Sequence, residues 1–201
     1  MTTERVPLEE RRKQILESAI HVFAQKGFHQ ALVEEIAAEA GIGKGTVYEY
    51  FPSKKELFRE IVKYAAGIYL DAIATSLAAP TTVKEKLSEL FRIHLEFLSK
   101  HRDMARLLVM EYPSLGGEMY EWLVEQRRQV TQLVEKMLAQ GISRRELRPI
   151  DQGLAAQVIL GAQGAVGSWV VFCADAPSSP VAIATDTADL LLRGIGHEGE
   201  K

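Results

Sequence analysis

Residues 41–51 read GIGKGTVYEYF and set a lysine, a threonine, two tyrosines and a glutamate within eleven positions. Lys44 can pair with an anion, Thr46 and Tyr48 can donate hydroxyl hydrogen bonds, and Glu49 can accept an amino hydrogen. On a helical wheel of about 100° per residue, Val47 and Phe51 share one face with Tyr50 beside them. Gly45 and Glu49 lie opposite, with Thr46 and Tyr48 on the two shoulders. The outward ridge is low in its middle and bears hydroxyls at both sides. Such a ridge fits a DNA major groove, about 12 Å wide, where a flat centre lets the backbone approach base edges. The shoulder hydroxyls then reach phosphates on either wall. Lys44 stands at the helix start, where free N–H groups favour anions, and Lys54 and Lys55 open the next helix after Pro52 and Ser53. Glu49 repels phosphates but can accept from cytosine N4, a base-reading role that competes with plain solvation of its charge.

Short helices must position this ridge. Residues 8–26 carry Ile15, Ala19, Val22 and Phe23 on one face and are closed by Gly27. Residues 33–40 turn Val33, Ile36, Ala37 and Ala40 inward, and Gly41 breaks them off. The third helix spans about 44–51 and stops at Pro52. Ser53 with Glu56 reads as a capping box opening a long helix to about Leu77. Further helices are predicted at about 82–99, 102–111, 117–140, 151–174 and 181–195, between turn signals at 113–117, Gly141, Pro149 and 177–180. No alternating strand pattern and no internal repeat occurs, so the fold class is all-α: three short helices, then a bundle of longer ones.

The totals set limits. At 201 residues and 47% hydrophobic content the chain can bury a substantial core. A formal charge of −3 excludes a global basic field, so nucleic-acid binding must rest on a local patch. Residues 1–63 hold ten Lys or Arg and ten Glu side chains, so any positive surface there must be sorted onto one side. The single cysteine, Cys173, excludes an internal disulfide framework and fits a reducing compartment. The polar N-terminus shows no signal peptide, and the most apolar run, 158–174, is broken by Gln163, Ser168 and three glycines. A cytoplasmic location without a membrane role is expected.

Short helix, glycine turn, short helix is the helix-turn-helix arrangement. Residues 27–58, GFHQALVEEIAAEAGIGKGTVYEYFPSKKELF, resemble the DNA-binding signature of the TetR/AcrR regulators. The matching features are G-F before the second helix, I-A-x-x-A-G-I across the turn, K-G-T-V-Y-x-Y-F and P-S-K-x-E-L-F. The match covers about residues 12–59; the rest of the chain carries no recognised motif. The resemblance implies a homodimer presenting each helix-turn-helix to half of a near-palindromic operator. It implies a DNA-binding domain at 1–52 and a helical ligand-binding and dimerisation domain at 53–201. A small effector bound there would weaken DNA binding, making the protein a ligand-released repressor; the alternative is an activator or a ligand-independent regulator. Carried onto this sequence, Lys44, Thr46, Tyr48 and Lys54 are DNA contacts, with Tyr50 and Phe51 in support. Gly45, Glu49 and Lys55 join them from the wheel and the charge pattern. Ala31 and Leu32 stand where the family usually has hydroxyl residues, and Gly43 replaces a common serine, which implies a weaker backbone grip.

In the second domain, Phe91, His94, Leu95, Met104, Leu108, Tyr112, Trp122 and Trp169 are candidates to line a pocket for a largely apolar effector, with ordinary core as the competing reading. Residues 151–174 gather Gly161, Gly164, Ala165 and Ser168 on one side. Each mid-helix glycine costs about 1 kcal/mol against alanine, so a close helix approach should compensate. The resemblance makes a partner subunit that neighbour, with Leu191 and Ile195 of the last helix completing the dimer interface; packing within one subunit is the alternative. No phosphate loop after a strand, G-x-S-x-G or paired-carboxylate pattern supports catalysis. The five histidines lack companions at metal-ligand spacing, and no cofactor is expected.

Overall fold

The computed structural model describes residues 7–102, 105–106, 116–173 and 179–195. Among the described residues eight helices are complete and no extended strand occurs. They are α1 Leu8–Gln30, α2 Val33–Glu39, α3 Lys44–Tyr50, α4 Lys54–Ala78, α5 Val83–Lys100, α6 Gly117–Ser143, α7 Gln152–Phe172 and α8 Pro180–Ile195. Most of the helix expected at 102–111 lies outside the described residues. Two compact units form: Met1–Ala66 with Asp103–Met119, and Gly67–Arg102 with Tyr120–Lys201, so α4 contributes to both.

The first unit is built from the three short-helix faces. Ile15, Leu16, Ala19 and Phe23 of α1, Ile36 and Ala37 of α2, and Val47 of α3 are buried with Phe51, Leu57, Phe58 and Ile61. Phe23, Phe28 and Phe58 stack edge to face or tilted, with centroids 5.2 to 5.8 Å apart. Helical geometry in α1 fails at Gly27, whose φ of 74° is open to glycine. Gly41, at φ 64°, ends α2 in the left-handed conformation while the Ile42 amide donates to the Ala37 carbonyl at 2.9 Å. Ser53 Oγ accepts the Glu56 amide at 3.1 Å and so caps α4. Arg12 lies 5.3 Å from the Phe51 ring centroid and pairs with Glu60, joining α1 to α4 across the end of α3.

In the second unit α5 packs on α8 and α7. Leu87, Leu90, Phe91 and Leu95 of α5 meet Val134, Met137, Leu138, Ile159, Ala184 and Ala188 in one core. Thr82 and Glu85 form a reciprocal capping box at the start of α5. Lys86 is only 4% exposed, and its ammonium donates to the Leu77 carbonyl at 2.8 Å, closing the last turn of α4. By length and composition α4 and α7 could each cross a membrane; in the fold α7 places Ala156, Ile159 and Leu160 in the core.

Helix α6 runs past its expected stop. It continues through Gly141 to Ser143, and the turn is made at Arg145, whose φ is 59°. Gly141 serves packing instead: a Cβ there would stand 2.4 Å from Val83 Cγ2 and 3.1 Å from Leu147 Cδ1. Gly141→Ala is therefore expected to lower the unfolding free energy of the second unit by about 1–3 kcal/mol, read from urea denaturation. Alanine's better helix propensity, about 1 kcal/mol, offsets only part of the overlap.

Candidate nucleic-acid interface

Helix α3 is anchored by two apolar side chains and leaves its remaining faces open. Val47 and Phe51 are buried, while Thr46 and Tyr50 are half-buried. Gly43 caps the helix in an extended conformation, its carbonyl accepting the Thr46 amide at 3.0 Å. Gly45 and Glu49 are exposed, and no atom lies within 4 Å of where a Cβ on Gly45 would stand. Tyr48 is 42% exposed, and the Lys44 ammonium lies 5.7 Å from its ring centroid. Lys44 also pairs with Glu34 of α2. Their hydrogen bond holds the Glu34 carboxyl below the usual carboxylate range and raises the Lys44 ammonium above its ordinary value. Lys44, Gly45, Thr46, Tyr48 and Glu49 thus come together on one accessible ridge of hydroxyls and charges around a low centre. Its groups can bind phosphate oxygens and reach base edges; they make no nucleophile–base set.

The start of α2 lacks a side-chain oxygen. Leu32 is 55% exposed at the cap position, and only the Glu35 carboxylate, accepting the Leu32 amide at 3.1 Å, supplies half of a capping box.

Of the two lysines after Ser53, Lys54 is engaged within the fold. Lys54 donates to the carbonyls of His29 at 3.2 Å and Ala31 at 3.0 Å, and lies 4.8 Å from the Phe28 ring centroid. It closes the end of α1 beyond the Gly27 kink, a task hidden from local patterns because its partners are 25 and 23 positions away. Lys54→Met is expected to cost the first unit about 1–2 kcal/mol of stability in the absence of DNA, by chemical denaturation. Lys55 is exposed, with its ammonium beside Gly116: a Cβ there would lie 3.2 Å from Nζ.

The second unit holds a buried polar group between helices. Tyr69 Oη and His94 Nδ1 are 2.9 Å apart, and the Gln163 amide donates to the Leu90 carbonyl at 3.4 Å. His94 Nε2 is buried with no hydrogen-bond partner, facing Gly167. Burial pushes the His94 imidazole down to about 4 and raises the Tyr69 hydroxyl. Of the other sequence-derived pocket candidates, Phe91 and Leu95 are fully buried in the core and Trp122 is half-buried. Trp169 is 41% exposed, because Gly167 and Val171 take the inward positions of that turn. Met104, Leu108 and Tyr112 lie outside the described residues.

Gly161, Gly164, Ala165 and Ser168 are all exposed, and no atom lies within 4 Å of a Cβ position at either glycine. The close approach inside this subunit belongs to Gly167, where a Cβ would stand 2.5 Å from His94 Nε2 and 2.7 Å from Leu98 Cδ1. Leu191 is half-buried on α8 and lines, with Leu154 and Val158, a surface groove of about 270 Å³; the Ile195 side chain lies outside the described residues. Among the described residues no group of three or more His, Cys, Asp or Glu side chains could hold a metal ion.

Comparison with known proteins gives two family matches. The model for bacterial regulatory proteins, tetR family, matches residues 15–61, and that for the tetracyclin repressor-like C-terminal domain matches residues 80–195. The fatty acid metabolism regulator protein of Bacillus subtilis (strain 168) is 28% identical over 187 residues, 92% of this chain and 95% of that protein. The structure of the transcriptional regulator FadR from Bacillus subtilis in complex with stearoyl-CoA is similar at a TM-score of 0.77 and 28% identity, covering 91% of this chain and 98% of that one. The fatty acid degradation regulator FadR from Bacillus halodurans is similar at a TM-score of 0.74 and 28% identity, covering 94% and 99%.

Proposed function

The chain belongs to the tetR family of bacterial regulatory proteins, and from that premise we propose that it is a cytoplasmic, homodimeric repressor released from a near-palindromic operator by a long-chain fatty acyl-CoA. DNA-binding transcriptional regulation is common to the family; the repressor role and the effector are the added steps. The observation that carries the effector is the likeness, over 91% of this chain, to a regulator whose structure holds stearoyl-CoA. An acyl chain also agrees with the largely apolar side chains of the second unit. Lys44, Gly45, Thr46, Tyr48 and Glu49 are the DNA-facing groups. The exposed small face of α7, with α8 beside it, is the surface for the second copy.

Release requires the acyl-CoA to bind the DNA-incompetent arrangement of the dimer more tightly than the competent one. The test is fluorescence anisotropy of a duplex from the protein's own promoter region, titrated with stearoyl-CoA, coenzyme A alone and free stearate. At least tenfold weaker DNA binding with the acyl-CoA alone is expected, with two chains per duplex in sedimentation. An affinity unchanged by all three ligands rejects the effector, and binding that ignores both sequence and salt rejects the operator reading. A promoter fusion whose output rises with the protein present would favour an activator instead.

A further inference from the structure

Helix α2 carries three glutamates, and each holds a basic group from another helix. Glu35 pairs with Lys26 at 2.6 Å and Glu39 with His21 Nδ1 at 2.8 Å, both partners lying on α1. Glu34 is different, because its partner Lys44 stands on the open ridge of α3. The first two pairs brace the head. The third takes up the one lysine that shares the ridge with Thr46, Tyr48 and Glu49.

We propose that Glu34 is a positioning residue that competes with DNA phosphate for Lys44, holding down the affinity of the head for duplexes in general. This rests on the reading of Lys44 as a DNA contact. The Lys44 ammonium is aimed at the Glu34 carboxylate and lies over the Tyr48 ring. A duplex presents one negative charge per about 1.7 Å of axis, so the approaching ridge brings phosphates to the same ammonium. Two anions then share one cation, and the carboxylate either gives up its partner or repels the phosphate beside it. Both partners are solvent-exposed, so the exchange is open to salt and small in each subunit, and a dimer makes it twice. The effect falls hardest on random-sequence DNA, where phosphate contacts supply essentially all of the binding. Residues 1–63, with ten Lys or Arg against ten Glu, gain selectivity in this way, by withholding a lysine from contacts that lack the other ridge groups.

The experiment compares wild type, Glu34→Gln, Lys44→Ala and the double variant on operator and random duplexes between 50 and 200 mM salt. Glu34→Gln is isosteric and uncharged; Glu34→Ala serves as a second variant, and thermal melts check the fold of all five proteins. Glu34→Gln is expected to bind random DNA roughly tenfold more tightly at the lowest salt, with a slope of log K against log salt steeper by up to about 2 per dimer. In the Lys44→Ala background the same change is expected to have no effect. A full gain persisting without Lys44 overturns the proposal, since the carboxylate would then act only as a nearby negative charge. Weaker binding by Lys44→Ala with no gain from Glu34→Gln overturns the competition alone. Unchanged binding by Lys44→Ala overturns the contact reading, and the competition with it.

Discussion

Replacing Lys44 and Tyr48 together by alanine is expected to weaken operator binding by at least about a hundredfold while leaving the helical content unchanged. On the proposed function, a dimer would lose two ammonium–phosphate contacts and two phenol hydroxyls, and the salt dependence should flatten by about one unit of slope for each lysine removed. The fold has little stake in either side chain. Helix α3 is held by Val47 and Phe51, both buried, whereas Tyr48 is 42% exposed and Lys44 touches only Glu34 and the Tyr48 ring among the contacts described. Anisotropy titrations at two salt concentrations, with circular dichroism on the same samples, separate the two effects. Weak binding with an intact spectrum and a flatter slope is the expected pair of results. A lost helical signal would make the pair structural, and an unchanged affinity would leave the ridge without its assigned partner.

How much of this was legible beforehand depends on the range of each signal. The ridge could be read because a helix of 7 residues with Val47 and Phe51 as its inward anchors has one way to bury them. Gly41 and Ser53 were equally readable, since a left-handed stop and a capping hydroxyl act within a few residues of themselves. Lys54 was not, because the carbonyls it closes come from the far end of α1. The same limit hid Glu34, whose pairing with Lys44 depends on how α2 crosses α3. Glycines on α7 show a third case. Periodicity separated Gly161 and Gly164 from Ile159, but only the packed structure singles out Gly167 as the residue against His94 and Leu98. By residue type Gly141 reads as a helix stop, whereas its missing side chain is needed where Val83 and Leu147 close in.

Lowering the pH from 7 to 5 is expected to cost the second unit about 2 kcal/mol of stability through His94 alone. The sign follows from where the proton binds. An unfolded histidine takes up a proton near 6.5, but burial holds the folded His94 neutral down to about 4. Between those values the unfolded chain binds the proton and the native one does not, so stability is full above pH 6.5 and declines as acid is added. The slope approaches 1.4 kcal/mol per pH unit, and the whole loss is about 3 kcal/mol by pH 4. Nδ1 faces the Tyr69 hydroxyl, and although the Gln163 backbone favours the protonated ring, burial outweighs it. His101 is lowered in the same sense by burial and by Lys100, and adds a smaller part. In this unit the Thr82 hydrogen bonds hold Glu85 and the Arg92 pairing holds Glu89 below the ordinary carboxylate range, so their losses begin at lower pH and leave the 7-to-5 window to histidine. Urea unfolding followed by fluorescence reports on this unit, which contains both tryptophans, Trp122 and Trp169. His94→Asn keeps an acceptor for Tyr69 without a titrating ring, so it should remove most of the slope whatever it does to stability at pH 7. An equally steep decline in that variant would place the titrating group elsewhere.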